Sequence, residues 1–269
     1  PFYENYGPDA ILSGATPRFV KLHPPDWTFD DGEVAAAFND RTKAIVINTP
    51  NNPTGKVFTR GELEFLGALC RKWDALAVTD EPYEYIVYDG LEHISIGSLD
   101  GMRDRTITVS ALSKTFSVTG WRLGYAIAPA DLTSAIRKVH DFLTVGAPHP
   151  LQEAAARLLP KADPLLEALA HDYQERRDVF VAGLRDAGLE AAKTPEGAYY
   201  IMVNVAKYGH ATDVDFARWM AREIGVAAVP GSSFYHDPRD GREQVRFCFP
   251  KKLETLREAC VRLKKLGAR

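Results

Sequence analysis

The chain has 269 residues, of which 45% are hydrophobic and 26% are charged, and its formal net charge is −3. This composition is typical of a water-soluble globular protein, and the length suffices for one large or two moderate domains. The small net charge and the lack of a basic cluster argue against nucleic acid as a partner, and no apolar run approaches the length of a membrane span.

The cysteines argue against a disulfide framework and against a metal site. Cys70, Cys248 and Cys260 are odd in number and follow neither a disulfide pattern nor a metal-ligand spacing. Such a set is typical of a reducing compartment. We therefore expect a cytoplasmic protein with no disulfide framework and no metal site.

The chain opens on a segment of turn and aromatic residues, 1–8, without an initiator methionine. We expect that it starts inside a domain and that an N-terminal portion precedes it. A short helix is predicted over residues 34–38, and the mostly apolar residues 42–48 predict a strand covered on both faces.

A dense turn cluster follows that strand at residues 48–55. Its two prolines fix φ, Gly55 permits a positive φ, and Asn52 offers amide donors beyond a strand's carboxyl end, where open α/β sheets bind ligands. A plain turn between strand and helix is the alternative. A helix over residues 60–73 and a strand over 75–78 follow, so the order is strand, polar loop, helix, strand.

Asp80 stands at the end of this second strand. A carboxylate there could cap a helix, bind a metal or pair with a protonated heterocyclic nitrogen. No histidine or cysteine lies nearby at ligand spacing, which disfavours the metal.

Lys114 follows the next predicted strand, residues 106–109, in a polar turn. A lysine that attacks a carbonyl needs a fixed position and a nearby cation that lowers its pKa, and Arg122 lies eight residues further on. Arg122 could also bind a phosphate through two hydrogen bonds. Taken alone, this pair is more typical of solvated loop residues.

The rest of the chain alternates again. The elements predicted are a strand over 123–128, a helix over 129–142, a helical region over 151–184 interrupted near Pro160 and Pro164, a strand over 199–205, a helix over 213–224, strands over 226–229 and 244–249, and a last helix over 253–263. The break at 144–150 predicts three regions: part of a large domain (1–148), a connecting helical region (149–185) and a small C-terminal α+β domain (186–269).

Arg246 lies within the apolar strand 244–249. A buried arginine is costly unless it is paired, and its planar fork suits a ligand carboxylate. A structural salt bridge to an Asp or Glu is equally compatible with the sequence.

These separated motifs, in this order, resemble those of the fold-type I pyridoxal-phosphate enzymes, specifically the class I aminotransferases. The segments that match are 1–6, 48–55, 80–83, 113–124, 197–200 and 245–247. The resemblance implies an α/β fold with a large, mostly parallel sheet that has helices on both faces, and a smaller C-terminal α+β domain. It also implies a pyridoxal 5′-phosphate cofactor and a homodimer.

Roles carry over from the resemblance by position. Lys114 resembles the lysine that holds the cofactor as an internal aldimine and moves the substrate proton. Asp80 would pair with the pyridine nitrogen, and Asn52 and Tyr83 would hydrogen-bond the phenolate oxygen. Tyr83 is thereby counted with Lys114 and Asp80 as catalytic.

The remaining roles concern the ring face, the phosphate and the substrate. Tyr3 would stack on the ring, and Ser113 and Arg122 would hold the phosphate. Arg246 would bind the substrate α-carboxylate, with Asn52 beside it. One position departs from the family: a hydroxyl residue is usual three positions before the lysine, where this chain has Ala111, so Ser110 or Ser113 compensates or phosphate binding is weaker.

The resemblance implies amino transfer between an L-amino acid and a 2-oxo acid in a ping-pong cycle. Segments 115–121 and 246–249 are similar to the branch that includes the kynurenine, glutamine and methionine aminotransferases, with the aspartate and aromatic aminotransferases as near competitors. Two alternatives stay open. One is β-elimination from a cysteine conjugate with the same cofactor, and the other is a cofactor-binding regulatory module without activity.

Overall fold

The computed structural model describes residues 1–266. The α-helices are α1 (Tyr6–Leu12), α2 (Asp31–Ala37), α3 (Arg60–Trp73), α4 (Leu112–Thr115), α5 (Ala130–Leu143), α6 (His149–Leu158), α7 (Asp163–Asp186), α8 (Asp213–Trp219) and α9 (Leu253–Leu263). The strands are β1 (Ala44–Asn48), β2 (Leu76–Asp80), β3 (Thr106–Ala111), β4 (Gly124–Ile127), β5 (Tyr200–Asn204), β6 (Val229–Pro230) and β7 (Gln244–Cys248).

The chain divides into two compact units. Within the described residues, one unit, here called the N/C unit, comprises residues 1–37, 51–56 and 171–266; the other, the central unit, comprises residues 38–50 and 57–170. This grouping does not follow the predicted boundaries at residues 148 and 185, because residues 1–37 and 51–56 pack with the C-terminal part. The predicted division into domains stays a prediction.

The central unit is built on a four-stranded sheet in the order β1-β2-β3-β4. The first three strands are parallel, and β4 is antiparallel to β3. The helix α3 joins β1 to β2 and buries the apolar stripe that the sequence predicts, Leu63, Leu66, Leu69 and Cys70. The prediction of an α/β fold with a mostly parallel sheet is therefore confirmed.

Local signals explain the bounds of α3. Thr59 caps its amino end by accepting a hydrogen bond from the Glu62 amide, while the Glu62 side chain accepts one from the Thr59 amide. This reciprocal capping box satisfies backbone donors that the first helical turn leaves unpaired. The carboxyl end stops at Asp74, which adopts a left-handed conformation (φ 49°).

The N/C unit contains a three-stranded antiparallel sheet in the order β5-β7-β6. Its central strand, β7, pairs residue by residue with β5, and Met202 lies opposite Arg246. Met202 is buried with Trp27 and Phe234 in one apolar cluster. This cluster packs part of the N-terminal segment against residues of the C-terminal part.

Several predicted elements differ in detail. The strand expected over 226–229 is reduced to Val229–Pro230, since only these two residues find partners on β7. The helix α1 is not predicted by the sequence pattern. Helix α8 ends at Trp219 and continues as a π-helical turn, Met220–Ile224. Pro164 does not interrupt α7 but lies in its first turn, where a missing amide hydrogen costs nothing.

Candidate active site

Asp80 is the last residue of β2, the strand that lies between β1 and β3. Its carbonyl oxygen accepts hydrogen bonds from the Thr49 amide (3.2 Å) and from Asn48 Nδ2 (2.8 Å), both at the end of β1. The backbone of Asp80 is therefore fixed from the neighbouring strand. This places a carboxylate at the carboxyl edge of the parallel sheet, as the sequence predicts.

Lys114 follows β3 and lies in the single-turn helix α4. Apolar packing holds this helix in place, because Leu112 lies in one cluster with Leu123 and Ala155. Burial, and then the positive charge of Arg122, lower the pKa of Lys114, whereas the charge of Asp80 raises it. A lowered pKa increases the fraction of free amine at a given pH, which is the form that attacks carbonyls.

The loop between α4 and β4 carries Arg122. Two non-glycine residues in it, Ser117 (φ 55°) and Arg122 (φ 54°), adopt left-handed conformations. The Arg122 Nη1 atom donates to the Thr119 carbonyl (3.0 Å), and the Thr119 hydroxyl donates to the Ser113 carbonyl (3.1 Å). Unfavourable backbone angles of this kind persist where the surrounding contacts determine the loop, as at ligand sites.

Tyr83 lies in the turn that follows Asp80 and is only 4% exposed. Two glutamates, Glu81 and Glu84, flank it in the chain. The Glu81 carboxylate accepts a hydrogen bond from the Thr79 hydroxyl (2.7 Å) and lies 2.9 Å from Nε2 of His93. The turn that carries Tyr83 is therefore held by side-chain contacts as well as by the end of β2.

Arg246 lies on the central strand of the second sheet, and its guanidinium is enclosed by aromatic rings. The guanidinium carbon is 4.3 Å from the ring centroid of Tyr200 and 4.6 Å from that of Phe234. The Nη1 atom donates to Oδ1 of Asn52 at 2.7 Å, and the buried Nε has no hydrogen-bond partner within residues 1–266.

From the sequence, a structural salt bridge between this arginine and an Asp or Glu is an alternative to a ligand carboxylate. Among residues 1–266, the contacts of Arg246 are with the Asn52 amide and with aromatic rings, which does not support the salt bridge. The planar cation is instead held by rings and one amide, an arrangement that leaves it able to pair with an anion.

Asn52 is buried in a tight turn within the N/C unit. Its neighbour Asn51 accepts hydrogen bonds through Oδ1 from the amide (3.3 Å) and the hydroxyl (2.7 Å) of Thr54. The Gly55 carbonyl accepts from the amides of Glu196 (2.9 Å) and Gly197 (2.8 Å). These contacts fix the loop that presents Asn52 to Arg246.

Tyr3 belongs to the same unit. The amide of Phe2, its neighbour, donates to the carbonyl of Phe234 (2.9 Å), the residue whose ring contacts Arg246. The Tyr3 ring lies edge-on to Tyr6, with the ring centroids 5.8 Å apart. The segment that carries Tyr3 is therefore anchored next to the arginine.

The structure thus gathers the predicted residues into two groups. Asp80, Tyr83, Ser113, Lys114 and Arg122 lie in the central unit, whereas Tyr3, Asn52 and Arg246 lie in the N/C unit. Ser113 is buried. The Ser110 hydroxyl donates to Glu84 Oε1 (2.7 Å), which commits it to a partner inside the protein.

The roles of Glu81, Glu84 and His93 are not evident from the sequence. The sequence shows only that one acidic residue precedes Tyr83 and one follows it, directly after a strand. Such a pattern is also typical of an exposed polar turn.

In residues 1–266 no group of three His, Cys, Asp or Glu side chains is placed to hold a metal ion. None of the helices described is long and apolar enough to cross a membrane.

Comparison with known proteins identifies the family. The model of "Aminotransferase class I and II" matches residues 1–263. Human kynurenine–oxoglutarate transaminase 1 is 34% identical to this chain over 98% of the chain and 70% of the relative. The methionine aminotransferase of Escherichia coli K12 is 35% identical over 99% of the chain and 68% of the relative.

Comparison with solved structures supports the same family. The N-succinyldiaminopimelate aminotransferase of Mycobacterium tuberculosis superimposes with a TM-score of 0.95 and 34% identity, over 99% of this chain and 70% of that one. The chain spans 62% of the length of human kynurenine–oxoglutarate transaminase 3, to which it is 37% identical. The chain belongs to the class I and II aminotransferases, the pyridoxal-phosphate-dependent transaminases of fold-type I.

Proposed function

We propose that this chain carries the lysine, ring-binding and carboxylate-binding residues of an enzyme that moves the amino group of an L-amino acid to a 2-oxo acid. The observation that carries the proposal is the placement of Lys114 in the turn that follows β3, next to the strand β2 that ends at Asp80; burial and Arg122 also lower the pKa of Lys114. A lysine in this state, with a carboxylate and a guanidinium close enough to act on its charge, fits the chemistry of pyridoxal phosphate: an amine for the aldehyde, an anion for the ring nitrogen and a cation for the phosphate.

When bound, pyridoxal phosphate supplies an aldehyde that condenses with the substrate amine and a ring that takes up the electron pair released at Cα. Asp80 would hold the proton of the ring nitrogen. Tyr83 and the Nδ2 group of Asn52 would donate to the phenolate oxygen, since Oδ1 of Asn52 already accepts from Arg246. Tyr3 would cover one face of the ring.

Lys114 would act as the general base and acid. Its amine removes the Cα proton of the substrate and returns a proton during the exchange, a task for which a pKa below the ordinary lysine value is suited. Ser113 and Arg122 would hold the phosphate. Because the Ser110 hydroxyl is engaged by Glu84, Ser113 is the better candidate to compensate for Ala111.

Arg246 would bind the substrate α-carboxylate. The guanidinium is held in place before substrate arrives, and its unpartnered Nε supplies a further donor. Bidentate pairing of arginine with a carboxylate fixes the orientation of the substrate as well as its affinity. Asn52 would contact the substrate from the same side.

The donor class is proposed from the relatives. Kynurenine–oxoglutarate and methionine aminotransferases are among them, so we expect an aromatic or sulfur-containing amino acid as donor. The relatives reported above are all named for amino transfer, which disfavours the β-lyase and the regulatory module. A homodimer and a cytoplasmic location belong to this proposal on the strength of the family resemblance.

An absorbance titration of the full-length protein loaded with pyridoxal phosphate tests the proposal. Adding single amino acids should bleach the band of the bound cofactor for a subset of donors, and a 2-oxo acid should restore it. A parallel assay for pyruvate and ammonia separates β-elimination from amino transfer. A band that no amino acid bleaches would refute the proposal, and pyruvate release without amino transfer would replace it by the lyase.

A further inference from the structure

One carboxylate oxygen in the central unit joins three segments. Oε1 of Glu84 accepts a hydrogen bond from the Ser110 hydroxyl at 2.7 Å and another from the Tyr125 hydroxyl at 2.7 Å. Hydrogen bonds from hydroxyl groups to an ionised carboxylate are short and roughly twice as strong as those between neutral groups. Glu84 is therefore firmly attached to two strands that are distant in sequence.

Both donors lie next to residues of the proposed site. Ser110 is on β3, four positions before Lys114, and Tyr125 is on β4, three positions after Arg122. The two are directly opposite each other in the antiparallel register of these strands. Glu84 itself directly follows Tyr83. One oxygen thus ties together the turn that carries Tyr83, the strand that leads to Lys114 and the strand that follows Arg122.

The two donors differ in exposure, since Ser110 is buried whereas Tyr125 is 37% exposed. Burial, opposed by a hydrogen bond with Ser110 and reinforced by Glu84, raises the pKa of Tyr125 far above its ordinary value. The phenol therefore keeps its proton and remains a donor at physiological pH. Ser110 is only 2% exposed, so water does not compete for its hydroxyl.

The turn that carries Tyr83 is also hydrogen-bonded to β3 where it begins, at Glu81. The Ser110 hydroxyl lies 3.2 Å from the Glu81 carbonyl, and the Glu81 amide donates to the Val109 carbonyl (2.8 Å). Because successive side chains of a strand point to opposite faces, the side chain of Thr79 lies on the face of β2 opposite Asp80. Glu81, the first residue after β2, is held there by its contacts with Thr79 and His93, and Glu84 gives the turn that carries Tyr83 a second attachment, to β3 and β4.

We infer that Glu84 is a positioning residue: through Ser110 and Tyr125 it sets the turn of Asp80 and Tyr83 against the segments of Lys114 and Arg122. The inference rests on the proposed function. Glu84 does not itself take part in the reaction. Its effect is on the alignment of groups that do, and misplacement of such groups by about 1 Å can cost on the order of 100-fold in rate.

The test compares Glu84→Ala with Glu84→Gln in the full-length protein loaded with pyridoxal phosphate. Glutamine keeps an oxygen that accepts both hydrogen bonds, whereas alanine removes it. We expect Glu84→Ala to lower kcat by about 10- to 100-fold with a smaller change in the KM for the amino acid. We expect Glu84→Gln to stay within about fivefold of the natural protein, because only the charge assistance is lost.

A second readout separates positioning from a merely structural role. The pH midpoint of the absorbance change of the bound cofactor depends on the donors around its ring, which are Asp80 and Tyr83 in this proposal. It should shift in Glu84→Ala and much less in Glu84→Gln. The matched control is Glu64→Ala on α3, whose exposed carboxylate pairs only weakly with Arg60 (3.8 Å).

Several outcomes overturn the inference. It fails if Glu84→Ala behaves like Glu64→Ala, or if Glu84→Gln is as impaired as Glu84→Ala. Should Glu84→Ala not fold by circular dichroism, Tyr125→Phe removes one donor while keeping the ring, and an unchanged kcat and pH midpoint in that variant are equally contradictory. If the natural protein itself does not bind pyridoxal phosphate through Lys114, the proposed function fails instead.

Discussion

Arg246 Nη1 lies 2.7 Å from Oδ1 of Asn52, although 194 positions separate the two residues in the chain. The amide oxygen fixes one edge of the guanidinium, and the rings of Tyr200 and Phe234 cover its faces. The buried Nε keeps an unused donor. A cation held in this way loses little entropy when an anion binds to it, which is the physical basis for assigning it to the substrate carboxylate.

Replacing Arg246 by lysine should weaken substrate binding. Lysine keeps the charge but loses the planar fork, and a hydrogen bond to a charged group contributes about 1.5–3 kcal/mol, so we expect the KM of the amino acid to rise by about 10- to 100-fold. Steady-state kinetics with the preferred donor measure this. Arg239→Lys is the matched control, since Arg239 is exposed and pairs with Asp237. An unchanged KM in Arg246→Lys would remove the assignment.

The charge of Arg122 should set the pH at which Lys114 reacts. Arg122 lowers the pKa of Lys114, so Arg122→Gln should raise it, and at a fixed pH a smaller fraction of the amine is free. Asp80 acts in the opposite direction, so Asp80→Asn should lower that pKa further. The pH dependence of Lys114 acetylation, followed by mass spectrometry on cofactor-free protein, measures both shifts.

The exposed Arg137→Gln on α5 serves as the control for this experiment, because it removes the same charge from the same unit. Its labelling profile should coincide with that of the natural protein. If the profile of Arg122→Gln moved to lower pH, the electrostatic account of Lys114 would be incorrect.

Gly55 should be irreplaceable in the loop that holds Asn52. It has a φ of 74°, and a Cβ there would lie 2.6 Å from Cβ of Pro195 and 2.9 Å from the Gly197 carbonyl oxygen. Strain and overpacking together predict that Gly55→Ala destabilises the fold by about 2–4 kcal/mol.

Urea unfolding of Gly55→Ala and Gly61→Ala tests this expectation. Gly61 lies in α3, where an alanine methyl group would meet no atom within 4 Å and the backbone φ is not positive. Alanine at that position should therefore be neutral or stabilising by about 0.5–1 kcal/mol. Equal stabilities of the two variants would show that the close approach to Pro195 and Gly197 is not maintained in solution.

Much of the central unit could be predicted from local patterns. The buried stripe of α3 follows from apolar residues three and four positions apart, and the strands β1 and β2 follow from apolar runs that each end in a polar residue. Asp80 and Lys114 could be singled out because each follows a predicted strand and lies in a segment that matches the family. Pairing partners were harder to predict: the segment over 226–229 has a strand-like composition, yet of its residues only Val229 pairs with β7, together with Pro230 directly after it.

The supporting contacts could not be predicted, because they depend on side chains brought together by the tertiary fold. Glu84 is 26 positions from Ser110 and 41 from Tyr125, and nothing in the spacing of these residues links them. The same holds for Arg246, whose contacts with Tyr200, Phe234 and Asn52 could not be read from the sequence. The type of a residue indicates the chemistry that it can perform. The neighbouring side chains that position it or change its charge state are known only from the fold.

The covalent attachment site of the cofactor tests the central claim most directly. The full-length protein loaded with pyridoxal phosphate is reduced with borohydride, digested and analysed by mass spectrometry. We predict one pyridoxyl-phosphate adduct, on the peptide that contains Lys114, and its loss in Lys114→Ala. An adduct on another lysine, or none on Lys114 in protein that carries out amino transfer, would contradict the account.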